Sequence, residues 1–201
     1  MKRIILLGPL LFAITLVTLT IIQYDFMRGL GWHPLNDPTF DWPSGLALGP
    51  YGIVMTATFI ISGLLIALLA MRLKADLESD ITSQAGSALL VLSGLALASL
   101  AFTTDPTIRS TPATWHGRIH DLSFVLLGLT LFPSMITLGF AFRQNEAWQK
   151  YSIYTWLTVI LVIPSFILKG VFFYIFLFAI LCWIESLAWK LNFSPAGATR
   201  P

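Results

Sequence analysis

The sequence predicts an all-α, polytopic integral membrane bundle of six transmembrane helices, with both termini in the cytoplasm. Three observations support this fold class: the composition, six long uncharged runs, and the distribution of lysine and arginine. Of the 201 residues, 56% are hydrophobic and 11% are charged, whereas about 25% of the residues of a typical soluble domain are charged. Because the apolar residues come in long blocks, the solvent they require is lipid.

Each uncharged run predicts one span, since a helix needs roughly 20 apolar residues to cross about 30 Å of hydrocarbon. A helix also satisfies its own backbone hydrogen bonds, as lipid demands. The first run follows Lys2-Arg3 without a small-x-small cleavage pattern, so we expect it to be retained as a span. The predicted spans are about 4–24, 51–71, 81–102, 113–142, 151–168 and 170–189. We expect one transmembrane domain over 1–190 and a short cytoplasmic tail over 191–201.

The basic residues predict the orientation of this bundle. With the N-terminus inside, eight of the twelve lysines and arginines fall in cytoplasmic segments: Lys2, Arg3, Arg72, Lys74, Arg143, Lys150, Lys190 and Arg200. The other four fall outside: Arg28, Arg109, Arg118 and Lys169. This excess favours cytoplasmic termini. It places two polar loops outside, 25–50 and 103–113, and loops as long as the first are often functional.

The third span carries small residues at helical spacing: Ser83, Ser87, Gly94 and Ala98. Small residues let helix backbones approach closely, so we expect this helix to lie centrally. No charged residue lies near the middle of any span, which argues against an ion-coupled transporter. Glu185, near the inner end of the last span, is expected to be a structural anchor beside Lys190 rather than a proton carrier.

A polar cluster marks the start of the fourth span, where the stretch TWHGRIHD covers 114–121. Thr111 and Pro112 precede it as the expected helix N-cap and first helical residue. If the helix begins there, His116 and His120 lie four positions apart on one face. The cluster therefore sits where the helix meets the outer headgroup level.

Two imidazoles on one face can hold a divalent metal such as zinc when a third ligand is near. Asp105 is one candidate, and Asp41, Asp37 and His33 lie on the same side. A bound metal could activate water for hydrolysis. Asp105 and the histidines could instead work as acid–base groups, with Asp41 or Ser44 completing the site. The predicted catalytic residues are Asp105, His116, Asp41 and Ser44, and the predicted metal ligands are His116, His120 and Asp105.

A structural interpretation of the histidines is equally open. An interfacial pair can bond to loop carbonyls or lipid phosphates, and the HxxxH spacing is less specific than HExxH, which also supplies a base. Haem is disfavoured, because two histidines on one helix face cannot take opposite sides of a ring and no CxxCH motif is present. The single cysteine, Cys182, excludes an intrachain disulfide.

Several segments together resemble a known family: PSGLALGPYGIVMTATFIISGLL (43–65), FTTDP (102–106), WHGRIHD (115–121), YS (151–152) and WIESLAW (183–189). They are similar to a prokaryotic six-span family catalogued as domain of unknown function 998, over roughly residues 40–190. The resemblance implies a multi-pass protein of the prokaryotic plasma membrane. It also implies polar landmarks at Ser44, Gly49, Asp105, His116 and Glu185. It implies no activity.

Three functions follow as hypotheses. The first is a metal- or His/Asp-dependent hydrolase or transferase that faces the outer leaflet and acts on a lipid or lipid-linked substrate. The alternative is a non-catalytic membrane subunit that binds a lipid, a pigment or a protein partner through the aromatic residues of the first outer loop, Trp32, Phe40 and Trp42. A small-molecule transporter is the third. Membrane lipids are expected partners, and no basic block suggests nucleic acid.

Overall fold

The computed structural model describes residues 2–77, 80–107 and 112–193. Seven α-helices lie in these ranges: α1 (Leu7–Ile22), α2 (Tyr24–Gly29), α3 (Gly52–Asp76), α4 (Ile81–Ser99), α5 (Trp115–Gln144), α6 (Gln149–Leu168) and α7 (Phe172–Phe193). Short 3₁₀ turns cover Lys2–Leu6 and Ser44–Leu48. The expected cap Thr111, the basic residues Arg109 and Arg200 and the tail from 194 onward lie outside the described residues.

Six helices in the described ranges are long and apolar enough to cross a membrane: Ile4–Ile22, Gly52–Asp76, Ile81–Ser99, Trp115–Gln144, Gln149–Leu168 and Phe172–Phe193. The predicted all-α fold class with six membrane helices is confirmed. The first span ends at Ile22 rather than at 24, because the chain turns there into the separate helix α2. The cytoplasmic placement of the termini remains a prediction.

The spans pack mainly against their neighbours in sequence. Helix α4 lies between α3 and α5, α5 packs on α6, and α6 packs on α7. Helix α1 contacts both α3 and α7, so the first and last spans lie side by side. The core is apolar and includes large side chains with almost no exposure, among them Trp148, Trp183 and Phe59.

Helices α3 and α4 approach each other closely at Gly63 and Gly94. A Cβ atom added at Gly63 would collide with the carbonyl oxygen of Gly94 and the backbone nitrogen of Ala98. A Cβ added at Gly94 would meet the carbonyl oxygen of Gly63 and the backbone nitrogen of Ala67 at 2.6 and 2.7 Å. Small residues thus allow close backbone contact here, as predicted for the third span.

The loop 25–50 is fastened to the bundle by its tryptophans. Trp32 is 2% exposed and Trp42 is 8% exposed. The Trp32 indole donates a hydrogen bond to the carbonyl of Pro38, and the Trp42 indole donates one to the hydroxyl of Thr20, both at 3.0 Å. The predicted aromatic interaction surface is therefore wrong for these two residues, because their rings fill the space between loop and helices.

Candidate functional site

Helix α5 begins at Trp115 and carries both predicted histidines in its first two turns. Its N-cap is Thr114, whose hydroxyl oxygen accepts a hydrogen bond from the backbone N–H of Gly117 at 3.1 Å. The expectation that Pro112 is the first helical residue is wrong, since Pro112 precedes the cap. His120 lies on the buried face of α5 and is 5% exposed.

Two backbone carbonyls hold one nitrogen of the His120 ring. Nδ1 lies 2.7 Å from the carbonyl oxygen of Phe102 and 3.1 Å from that of Leu100. A carbonyl oxygen can only accept a hydrogen bond, so Nδ1 must carry the proton. In the neutral ring the opposite nitrogen, Nε2, is then an acceptor. The fold thereby selects one tautomer of His120.

The acceptor nitrogen of His120 faces a serine hydroxyl from the loop 25–50. Ser44 Oγ lies 2.9 Å from Nε2, so the hydroxyl donates its proton toward the ring. This is the polarity that a serine nucleophile and its general base require, with the base in turn oriented by a third group. Here the third group is the pair of carbonyls of Leu100 and Phe102.

The two carbonyls lie at and just beyond the end of helix α4. Leu100 is the C-cap residue of this helix, and Phe102 follows the cap by two positions. The last carbonyls of a helix have no partner within it, so they are free to accept hydrogen bonds from other groups. The end of α4 and the turn after it therefore orient the His120 ring.

Ser44 also lies on the wall of an apolar cavity of about 70 Å³ in the bundle interior, which we call the Ser44 cavity. A second cavity, of about 80 Å³, shares with it the lining residues Phe12, Leu97, Leu127, Leu131, Phe176 and Leu177. Cavities with such walls stay dry and accept apolar groups. The Ser44 hydroxyl therefore lies beside an apolar space, formed by the two neighbouring cavities, between the spans.

Asp105 fixes the start of α5 rather than facing an imidazole. Its carboxylate accepts hydrogen bonds from the backbone N–H of Thr114 at 2.7 Å and from the Thr114 hydroxyl at 2.8 Å. A Cβ atom on Gly117 would collide with this carboxylate. Glycine at 117 is what lets the carboxylate come this close to the helix.

His116 fastens the same segment from the other side. Its Nδ1 lies 2.8 Å from the carbonyl oxygen of Thr103 and 3.0 Å from the hydroxyl of Thr114. As with His120, the carbonyl partner requires the proton to be on Nδ1. His116 therefore ties the beginning of α5 to the loop that follows α4.

Asp41 joins the loop 25–50 to the loop that follows α4. Its carboxylate accepts a hydrogen bond from the backbone N–H of Thr107 at 3.0 Å and a second from the Thr107 hydroxyl. The two loops thus meet at the same end of the bundle as the histidines. Among the predicted catalytic residues, Ser44 contacts the imidazole of His120.

The predicted metal ligands do not form a metal centre. Within 2–77, 80–107 and 112–193, no group of three His, Cys, Asp or Glu side chains is placed to hold a metal ion. His116, His120 and Asp105 each point at hydrogen-bond partners of the protein itself. His33, another candidate ligand, has its Nδ1 against the guanidinium of Arg28. The geometry supports a serine–histidine pair and gives no support to a zinc site.

The model of a family described as "Protein of unknown function (DUF998)" matches residues 6–190. The chain belongs to the DUF998 family. The match covers almost the whole membrane bundle, including Ser44 and His120, and confirms the resemblance seen in the sequence. No curated protein and no solved structure matches the chain.

Sequence reasoning missed several groups that build the site in this DUF998 chain. Thr114 bridges Asp105, His116 and Gly117, and its place directly before the helix was an available signal for an N-cap. The carbonyls of Leu100 and Phe102 carry no signal in the side-chain sequence. The pairing of Ser44 with His120 also has no local signature, because it depends on how the loops fold.

Proposed function

We propose that this DUF998 protein is a membrane-embedded hydrolase or transferase in which Ser44 is the nucleophile and His120 the general base. The observation that supports this proposal is the 2.9 Å contact between Ser44 Oγ and His120 Nε2 at the wall of an apolar cavity. Ser44 keeps the catalytic role that the sequence suggested. His120 is assigned proton transfer instead of metal binding.

The reaction that fits this pair is acyl transfer from an ester. Ser44 Oγ attacks the ester carbonyl carbon while its proton passes to His120 Nε2. The carbon–oxygen bond to the alcohol then breaks, and the leaving alcohol takes that proton. Water or another hydroxyl, deprotonated by the same nitrogen, releases the acyl group from Ser44. General acid–base catalysis of this kind contributes about 10²–10⁴-fold in rate.

Asp105, His116 and Asp41 act as positioning residues in this proposal. Asp105 and His116 hold the first turn of α5 through Thr114 and Thr103. Asp41 holds the two outer loops together at Thr107. Their shared effect is to keep Ser44 and His120, which come from different segments, in hydrogen-bond distance. Preorganisation of this kind lowers the barrier without any contact to the substrate.

The surroundings favour a lipid or lipid-linked ester as the substrate. The Ser44 cavity is lined largely by phenylalanine and leucine side chains from the spans, so the apolar group next to an ester carbonyl held at Ser44 can be placed in it. The predicted orientation puts this end of the bundle at the outer leaflet of a prokaryotic plasma membrane. We therefore propose that the substrate enters from the outer headgroup region.

Turnover of defined lipid vesicles tests the proposal. The purified protein is reconstituted with phosphatidylglycerol and phosphatidylethanolamine that carry labelled acyl chains, and the released fatty acid or transferred acyl product is measured. Wild type and Ser99→Ala are expected to be active, because Ser99 Oγ only bonds within its own helix, to the carbonyl of Leu95. Ser44→Ala and His120→Gln are expected to be inactive. Equal product from all four proteins would exclude the Ser44–His120 mechanism.

A further inference from the structure

A crevice lies at the opposite end of the bundle, where the first turns of α1 meet the last turns of α7. Its volume is about 440 Å³, and we call it the α1–α7 crevice. Phe178 and Trp189 on its walls are 71% and 56% exposed, so it opens toward the surrounding lipid. Its lining residues are mostly apolar, and the members with polar side chains are Tyr151, Cys182, Glu185 and Ser186.

Glu185 is the unusual member of this lining. Its Oε2 atom is buried and has no hydrogen-bond partner. Lys190, which follows it by five positions, places its Nζ 5.7 Å from the centre of the Trp148 ring. An intramembrane carboxyl is costly to maintain, so a partner from outside the chain would stabilise it.

The other polar atoms of the crevice define the partner's chemistry. Ser186 Oγ donates its proton to the carbonyl of Trp183 at 2.8 Å, which leaves its lone pairs as acceptors. Tyr151 is a further residue of the lining with a polar side chain. Together with the Glu185 carboxylate, these groups offer acceptors for a cation that carries several N–H donors. A primary ammonium group has three such donors, whereas a quaternary ammonium group has none.

We infer that the α1–α7 crevice binds a membrane phospholipid through its primary ammonium headgroup. The Glu185 carboxylate meets the ammonium group, and the apolar walls from α1 and α7 take the upper part of an acyl chain. Trp189 and Tyr151 lie at the depth where aromatic side chains meet headgroups. The inference does not depend on the proposed reaction, since Ser44 lies at the other end of the bundle.

Lipid binding to the purified protein tests this inference. Short-chain phosphatidylethanolamine and phosphatidylcholine of equal chain length are titrated separately, and the bound lipid is counted by native mass spectrometry. Hydrogen bonds to a charged group predict a preference of about tenfold or more for phosphatidylethanolamine. Glu185→Gln is expected to abolish the preference and Glu185→Asp to retain part of it. Glu146→Gln is the matched control, because Glu146 is an exposed acid outside the crevice.

Three results would overturn the inference. The first is equal binding of the two lipids by wild type, and the second is a preference for phosphatidylethanolamine that survives in Glu185→Gln. The third concerns the source of the ammonium group. Free ethanolamine lacks the chains that the apolar walls would hold, so it should compete only weakly. If it binds as tightly as the lipid, the ligand is a soluble amine and the assignment to a phospholipid fails. Melting curves of all variants, followed by tryptophan fluorescence, show that each is folded.

Discussion

Ser44 Oγ and His120 Nε2 lie 2.9 Å apart although 76 positions separate the two residues in the sequence. The contact joins the 3₁₀ turn Ser44–Leu48 to helix α5, and the end of helix α4 holds the far side of the imidazole. Three segments that are distant in the chain therefore meet at the hydrogen bonds of the His120 ring. Such convergence beside an apolar cavity is the reason for assigning catalysis to this pair.

Removing the Thr114 hydroxyl should loosen the start of α5. Thr114→Ala deletes the N-cap and leaves Asp105 without the hydroxyl it binds, so we expect a loss of about 1 kcal/mol in unfolding free energy. Thr114→Ser keeps the hydroxyl and should stay close to wild type. Thermal unfolding in detergent, followed by circular dichroism, measures both. Equal stability of Thr114→Ala and Thr114→Ser would contradict the cap.

Adding a single methyl group at Gly63 should push α3 away from α4. Gly63→Ala places a Cβ against the backbone of Gly94 and Ala98, and overpacking of this kind costs about 1–3 kcal/mol. Gly128→Ala adds the same atom where nothing lies within 4 Å, so it should be tolerated. Chemical denaturation of the two variants in parallel gives the comparison. A Gly63→Ala protein as stable as Gly128→Ala would show that the helices do not meet there.

Asp80, the N-cap residue of α4, should make stability depend on pH at the acidic end. Its carboxylate accepts hydrogen bonds from the Thr82 hydroxyl at 2.6 Å and the Ser83 N–H at 2.8 Å. The hydrogen bond from the Thr82 side chain has the largest effect, and together with those from Ser83 it holds the pKa of Asp80 below its ordinary value of 3.8. Burial acts in the opposite direction and raises this pKa. A lowered folded-state pKa stabilises the protein above the unfolded pKa, and that contribution is lost as pH falls through the folded pKa.

The measurement for Asp80 is a set of melting curves between neutral pH and the acid range. Asp80→Asn cannot titrate but keeps a capping side chain. The stability difference between wild type and Asp80→Asn should therefore be constant at neutral pH and shift against wild type only below about pH 4. A difference that already changes near pH 6, or never changes, would be inconsistent with the cap at Asp80.

The Ser44 cavity should set the length of the chain that the protein accepts. Gly128 lies on its wall with open space around the position of a Cβ, so Gly128→Phe would place a ring in the cavity. We expect this variant to react normally with a short-chain fluorophosphonate and poorly with a long-chain one. Wild type should prefer the long chain. Comparison of the two labelling rates measures the effect, and parallel loss of both rates would show general damage instead.

The sequence was sufficient for the membrane fold because that fold depends on long uncharged runs, which are local features. The start of α5 was misplaced by three residues. Thr111-Pro112 has the typical pattern of a helix start, but Asp105 holds Thr114 as the cap. Sequence alone could not show that the carbonyls of Leu100 and Phe102, just after α4, accept the hydrogen bond from His120 Nδ1. Without that contact, a histidine pair four positions apart fits a metal site as well as it fits a base.

Covalent labelling of Ser44 tests the central assignment most directly. The purified protein is treated with an alkyl fluorophosphonate, and the modified serine is identified by peptide mass spectrometry. We expect modification at Ser44 in wild type and Ser99→Ala, none there in Ser44→Ala, and a rate lower by about 100-fold in His120→Gln. An unmodified Ser44, or labelling at the wild-type rate in His120→Gln, would contradict the role of this pair in catalysis.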